Sequence, residues 1–593
     1  MTIHFVRLFL LSIPILCLCS CEANPPKPSD TQTLKQPKKS DPVVEAASQA
    51  TTRSKPEGEL PFFKTVAEES GINFRRNDDI RGLHRILEAN GGGVAMFDCD
   101  HDGYLDLFFT NGCQLPRTAD DGSHGELFHN LDGMRFTSIT SASGLVQKGF
   151  GYGCAVGDYN SDGFDDLYVT ALGPNQLWRN NGDGTFTDVT HEVGVDVPAW
   201  SASAAFSDLN GDGHLDLYVV NYLDESAESP RLCPAPGSPD GYVQCSPAVF
   251  DGVDDALLIS DGTGHFIDQT EQAGLKGLRG KGLGVVVANL DRNGLPEIYV
   301  ANDGQANFLF SAKSETTEEL KYEDHALVAG LAFNEVGYAQ ASMGVAAGDV
   351  NADGFSDLFL THFYGDTNTL YLNQGELVFD DSTRASAIGP PSRQVLGWGT
   401  AFFDYDNNGS QDLIVANGHI DDRTWMPNGE PYRMKPQLFR NEDYGTFREV
   451  SEWSGDYFQQ TWLGRGLAIG DLDRDGRLDV AISHQQDPSV LLWNQTSTTN
   501  NAITLEFIGT KSNRNGFGVV VIRTDIELSP THELYGGGSF QSANAHTIHL
   551  GLNGASKCDI VIHWPSGEVD EYQEIRAGRY HAIENGSLVD SSR

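Results

Sequence analysis

The sequence predicts an all-β fold: a seven-bladed β-propeller with an acidic loop in every blade, followed by a small C-terminal β-sandwich-like domain. Three observations predict it. A nine-residue acidic loop recurs seven times, each copy lies between two short apolar runs, and two further short runs travel with each copy in constant order. Units of 50 to 81 residues, each with four strand-like segments, point to a ring of four-stranded sheets.

The first loop reads "DCDHDGYLD", with Asp98, Asp100, Asp102 and Asp106 at positions 1, 3, 5 and 9 and Gly at position 6. The second copy places Asp158, Asn160, Asp162 and Asp166 there, and the third Asp208, Asn210, Asp212 and Asp216. The fourth has Asn289, Asp291, Asn293 and Glu297, and the fifth Asp349, Asn351, Asp353 and Asp357. The sixth has Asp404, Asp406, Asn408 and Asp412, and the seventh Asp471, Asp473, Asp475 and Asp479. Carboxylates this close repel unless a cation sits among them. Calcium takes about six to eight oxygens at ~2.3–2.6 Å, and alternate residues of a tight loop can supply them. Gly at position 6 permits the sharp turn, and the carbonyl at position 7 can add a ligand. Up to seven calcium sites are expected, weakest at the Asn289 copy with two carboxylates and strongest at copies one and seven with four each. One such turn alone would read as a solvated loop. Seven in register read as metal sites.

The flanking runs fix the element type. Lead-ins such as "SASAAFS" and exits such as "LDLYVVN" are rich in small, β-branched and aromatic residues without helical period, so each loop joins two strands and is no EF-hand. Third strands follow as "ELFHN", "QLWRN", "ALLIS", "NFLFS", "TLYLN", "QLFRN" and "VLLWN". Fourth strands follow six loops, as in "RFTSITSASGL", while the seventh, "FFKTVAEESGI", precedes the first loop. The last blade is therefore expected to close with Phe62 to Ala67 beside Val490 to Trp493, which leaves no free sheet edge.

Over the whole chain, 83 acidic against 40 basic residues give a formal net charge of −43, spread along its length. That excludes the clustered cations a nucleic-acid partner requires and fits an exported protein or one neutralised by bound cations. An apolar run from Leu8 to Leu18 after Arg7 is too short for a comfortable membrane span and makes residues 1–20 a signal peptide. "LCSC" resembles a bacterial lipobox, which implies lipidation of Cys21, anchorage through lipid only, and an envelope location at the outer membrane or cell surface, otherwise periplasmic or secreted. Residues 21–59, rich in Pro, Ser, Thr and Lys, read as a disordered tether; the propeller is expected over 60–498 and the last domain over 499–593. In an oxidising compartment the insert "CPAPGSPDGYVQC" predicts a Cys233–Cys245 disulfide, with Cys99, Cys113, Cys154 and Cys558 left unassigned.

With these loops and strands the chain resembles the FG-GAP/VCBS repeat family, whose calcium-loop propellers are also found in integrin α-subunit heads. "SNRNGFGVVVIRT", "LYGGGSFQSANAHTIHLGL" and "IHWPSGEVDEY" look like the ASPIC/UnbV domain, which follows such repeats in the cartilage acidic protein family and in many bacterial exported proteins. The chain departs from that pattern at Val519–Ile522, where an Arg is expected, and at "GLN" in place of "GLG". By composition the segment is a small antiparallel β domain.

No G-x-S-x-G elbow, H-E-x-x-H motif or Walker loop is present. The expected function is therefore non-enzymatic binding or adhesion to an extracellular or envelope protein or glycan, with no nucleic acid. Recognition is expected on the face opposite the acidic loops, where long inserts lie, with Trp200, Trp398, Trp425, Arg433 and Trp462 as anchors. Each Trp taken alone also suits packing at a blade top. The alternative is a polysaccharide lyase or hydrolase, or a lectin, on the same scaffold.

Overall fold

The computed structural model describes residues 60–116, 122–313 and 320–591. The expected signal peptide, Cys21 and tether lie outside these residues. Five four-stranded antiparallel sheets form from residues 94–138, 150–188, 201–268, 345–381 and 397–449, and a sixth, from 282–324, gains Gly536–Gly537 as a fifth strand. A seventh combines residues 464–494 with Phe63–Thr65. The first strand of each sheet packs against the first strand of the next, and Gly464–Gly470 of the last returns to Val94–Phe97 of the first, so the ring closes. Small residues let these inner strands converge. A Cβ on Gly344 would lie 2.0 Å from Trp398 O, and one on Gly153 would lie 2.5 Å from Ala202 O.

Closure follows the expected route. Phe63, Lys64 and Thr65 pair antiparallel with Asn494, Trp493 and Leu492. Phe63 is 1% exposed and meets Phe403 and Phe458 at ring-centroid distances of 6.2 and 6.1 Å, so the strand also ties the sixth and seventh sheets together. The fourth strands are shorter than the sequence suggested. Phe136–Ser138 and Phe186–Asp188 each give way to one helical turn, Thr140–Ser143 and Thr190–Val193. The reason is a hydroxyl: Thr140 Oγ1 accepts from Leu127 N and Thr190 Oγ1 from Leu177 N, both at 2.9 Å, which curls the chain back onto the third strand.

The C-terminal part is a pair of four-stranded sheets whose facing residues, among them Ile503, Leu505, Val521, Ile560 and Ile562, share one core with the second and third blades. It is not purely antiparallel, as composition had suggested. Ala502–Ile508 and Gly578–Ile583 pair in parallel, because the chain crosses to the other sheet before returning.

Between these sheets, residues 534–546 run into the propeller axis. Gly538 N donates to Val285 O (2.8 Å), Val345 N to Ser539 O (2.9 Å), Cys154 N to Gln541 O (3.1 Å), Ala543 N to Val94 O (3.0 Å) and Ala545 N to Ile469 O (3.0 Å). Thr400 N reaches Ser539 Oγ at 3.3 Å, and a Cβ on Gly536 would lie 2.2 Å from Phe206 O. One loop thus touches all seven blades. Its "GGGS" composition suits such close backbone approach. Replacing Phe63 by Ala should cost about 3–5 kcal/mol, measured as a lower urea midpoint, because a buried ring joining two blades is lost.

Candidate functional site: the acidic loops and the axial cavity

Six of the seven loops share one internal geometry, the Asn289 loop lacking its first hydrogen bond. At position 1, Asp98, Asp208 and Asp404 each accept the N–H of the position-6 glycine, at 2.8, 2.8 and 2.7 Å. Position 5 caps the N–H of position 7, as Asp102 does for Tyr104 at 2.8 Å and Asp212 for His214 at 2.9 Å. Position 9 does different work. Asp357 accepts from Val350 N (3.0 Å) inside the loop and from Asn373 N (2.8 Å) at the end of the third strand; Asp479 accepts from Leu472 N (3.0 Å) and Asn494 N (2.8 Å) in the same way. These buried carboxylates tie loop, second strand and third strand together.

Sequence reasoning missed the partner of that tie. The Asn ending the third strand sends its side-chain amide to the preceding loop's second carbonyl: Asn130 to Leu472 O (3.0 Å), Asn180 to Cys99 O (2.8 Å), Asn373 to Leu290 O (2.9 Å), Asn441 to Val350 O (2.8 Å) and Asn494 to Tyr405 O (2.8 Å). The signal was visible, since five of the seven third strands end in Asn.

Three loops bring carboxylate oxygens within 4.8 Å of one another: Asp98, Asp100 and Asp102; Asp404, Asp406 and Asp412; Asp471, Asp473 and Asp479. His129, also missed from sequence, joins the first, with Nδ1 3.1 Å from Asp106 Oδ1 and 3.6 Å from Asp100 Oδ2. A cation fits these sets. Asp98 Oδ1 and Asn289 Oδ1, both at position 1, are buried oxygens without a hydrogen-bond partner, and an all-oxygen donor set suits a hard dication. In loop seven, Arg579 Nη2 lies 3.0 Å from Asp471 Oδ2 and takes up an oxygen there.

Arg579 belongs to the C-terminal sheets, and other residues of that part reach the same rim. Asn289 N donates to Glu533 Oε1 (2.7 Å), Thr531 N to Asp349 Oδ2 (2.9 Å), Asp158 N to Asn515 Oδ1 (2.8 Å), and His549 Nε2 lies 2.8 Å from Asn407 Oδ1. The C-terminal part thus contacts the acidic loops, while Asp100, Asp102, Asp162, Asp212, Asp353 and Asp475 stay exposed.

Comparison with known proteins agrees with this architecture. Residues 98–169, 158–219 and 337–415 match the FG-GAP-like repeat, and residues 509–588 match ASPIC and UnbV. The chain carries FG-GAP-like repeats followed by an ASPIC and UnbV domain. It is similar to cartilage acidic protein 1 of Homo sapiens, 26% identical over 345 residues that cover 56% of this chain and 47% of that protein. It is also similar to integrin alpha-3 of Cricetulus griseus, 28% identical over 126 residues, 20% of this chain and 12% of that one. The chain thus spans about half the length of the first relative and a smaller share of the second. Among solved structures, an Agrocybe aegerita lectin that recognises non-reducing terminal N-acetylglucosamine aligns at a TM-score of 0.36 and 14% identity, over 67% of this chain and 86% of the lectin.

On the face away from the FG-GAP loops, two expected anchors are corrected. Trp398 is 1% exposed, donates from Nε1 to Gly418 O at 2.7 Å, and lies under the Arg465 guanidinium at 4.4 Å. Trp200 is buried between Tyr152 and Tyr222. Small residues on the inner strands leave space at the blade tops, and these rings fill it. Trp462 is half-buried and stacked on Tyr457 and His484, Trp425 is half-buried in the 419–436 insert, and Arg433 is exposed and paired with Asp487. The Cys233–Cys245 disulfide is present, with Cα atoms 5.3 Å apart, while Cys99, Cys113, Cys154 and Cys558 are buried thiols. Between the inserts lies a cavity of ≈ 790 Å³, lined by Tyr222, Gln244, Lys281, Asp303, Tyr364 and Arg423 above a floor that includes Trp398.

Without a cation, burial and neighbouring carboxylates drive the FG-GAP loops to hold protons. Burial pushes Asp98 and Asp158 up to about 7 and Glu297 up to about 8. The hydrogen bond to Asp106 raises His129 to about 9. All four groups bind protons more tightly when folded, so stability without metal falls as pH rises through these values. In chelator, the urea midpoint should drop between about pH 5 and about pH 8; a midpoint that rises over this range would contradict the assignment.

Proposed function

We propose that this chain is an exported, calcium-stabilised binding protein that recognises an extracellular or envelope protein or glycan through the propeller face opposite the acidic loops. One observation carries the reading: residues 534–546 fill the axis from the loop side, so the mouth of the axis that stays open is the opposite one, with its ≈ 790 Å³ cavity. Calcium is favoured as the rigidifying ion by the hard oxygen sets and the unpartnered Asp98 Oδ1 and Asn289 Oδ1. Ion binding by the folded state alone adds to its stability.

The cavity suits a polar ligand with a flat or cyclic part. Its lining balances Lys281 and Arg423 against Asp303 and Asp366, and supplies Gln244 and Gln305 amides beside Tyr222, Phe363 and Tyr364 rings. The disulfide supports export into an oxidising compartment, and anchorage through a lipid on Cys21 completes the proposal.

One observation favours the polysaccharide-active alternative. Burial lifts the carboxyl of Asp303 to about 6, and Tyr222 donates a 2.5 Å hydrogen bond to it, an environment suited to general-acid work. A glycan array and envelope pull-down, run beside a reducing-end assay, separate the readings. Binding without turnover is expected, weakened roughly tenfold or more by Tyr364→Ala with Arg423→Ala at an unchanged melting temperature. Unchanged binding by this double variant removes the cavity from the proposal, and turnover favours the enzyme.

A further inference from the structure

The disulfide-bonded insert of the third blade reaches across the axial mouth. It leaves after Asn221, forms a small hairpin in which Cys233–Pro234 pair with Tyr242–Val243, and is pinned by Cys233–Cys245. Its far end meets the sixth blade, three places away in a ring of seven: Gln244 N donates to Asp421 Oδ2 at 3.2 Å. Residues 244–248 then form one wall of the axial cavity, and Lys281 inside that cavity donates from Nζ to Pro247 O at 2.7 Å.

His84, from the segment before the first blade, sits where these elements meet. Its Nδ1 lies 2.6 Å from Asp421 Oδ1 on the sixth-blade insert, and its Nε2 lies 3.2 Å from Asp240 Oδ2 on the hairpin. A neutral imidazole has one N–H and can donate to one of these carboxylates. Only the imidazolium donates to both.

We propose that the 233–247 hairpin is a strap over the axial cavity, latched shut by the protonated His84 bridging Asp240 and Asp421. The charged groups around the ring are these two carboxylates, Arg423 with Nε 4.0 Å from Asp421 Oδ2, and the Arg81–Asp79 pair on the segment that bears His84. Burial alone would lower the basicity of His84, but Asp421 and Asp240 outweigh it and raise it. A histidine raised in the folded state gives its full stabilisation below the usual imidazole range and loses it as pH rises through the folded value. The strap is therefore closed in the usual imidazole range and opens as pH rises above it. Asp421 is 2% exposed and serves as the fixed post; Asp240, 53% exposed, is the part that lets go. The disulfide keeps the strap's shape, so opening moves the hairpin as one piece.

The cavity's role as a ligand site rests on the preceding section, but the latch is tested without any ligand. Amine acetylation footprinting on the full chain would read Lys281 against the exposed Lys276, with hydrogen exchange read over residues 241–247. In His84→Ala, Lys281 labelling and strap exchange should rise about fivefold at near-neutral pH, the ratio expected for losing a partly exposed ion pair. In the unaltered protein, strap exchange corrected for intrinsic chemistry should rise as pH increases above the usual imidazole range, and His84→Ala should abolish that rise. Asp240→Asn, which alters an exposed carboxylate, should give the same result and keeps the test available if His84→Ala does not fold. Unchanged Lys281 labelling in both variants, or a pH response that survives loss of the imidazole, overturns the latch. A working latch on a protein that binds no glycan or envelope partner would instead count against the binding reading alone.

Discussion

Each blade turns on an acidic hairpin, three of them with carboxylate oxygens within 4.8 Å of one another, and position-9 carboxylates such as Asp357 and Asp479 also hold the second and third strands together. The fold cannot discard these residues to relieve the repulsion, because both oxygens of Asp357 and Asp479 are committed to backbone N–H groups. Third-strand Asn residues pass the constraint to the neighbouring blade's loop, so the hairpins form a linked rim. Whatever neutralises the loops therefore stabilises the ring as a whole. The buried, unpartnered position-1 oxygens mark where a cation would act.

The second organising element is the loop of residues 534–546. Its backbone reaches the inner strands of every blade, and its flanking sheets contact several of the acidic loops. Phe540 carries the insertion as far as Trp398, at 4.8 Å between ring centroids, which places the tip beneath the floor of the opposite cavity. The two faces of the propeller are thus unequal. One is occupied by the chain's own C-terminal part, and the other presents long inserts, a cavity and a hairpin held by a histidine.

Much of this was legible in the sequence. Loop spacing gave the strand pairs, and the displaced "FFKTVAEESGI" segment announced how the ring closes, because both are local patterns repeated seven times. The axial insertion of "GGGSFQSANAH" was not legible, since its partners come from seven separate strands and glycine-rich composition alone reads as a turn. His129 and Arg579 reach the loops from sequence positions remote from them, so no spacing rule could find them. Trp200 and Trp398 are buried where surface anchors were expected, because depth at the blade tops is set by the size of the inner-strand residues beneath. The Asn ending five of the third strands was in plain view and needed only a question about where its amide goes.

The central claim is that divalent cations make the clustered carboxylates tolerable. Elemental analysis of the purified chain, paired with thermal unfolding before and after chelation, tests it most directly. The account predicts several calcium ions per chain and a melting temperature lowered by many degrees in EDTA, restored by added calcium. A metal-free protein that melts at the same temperature with and without EDTA would contradict it.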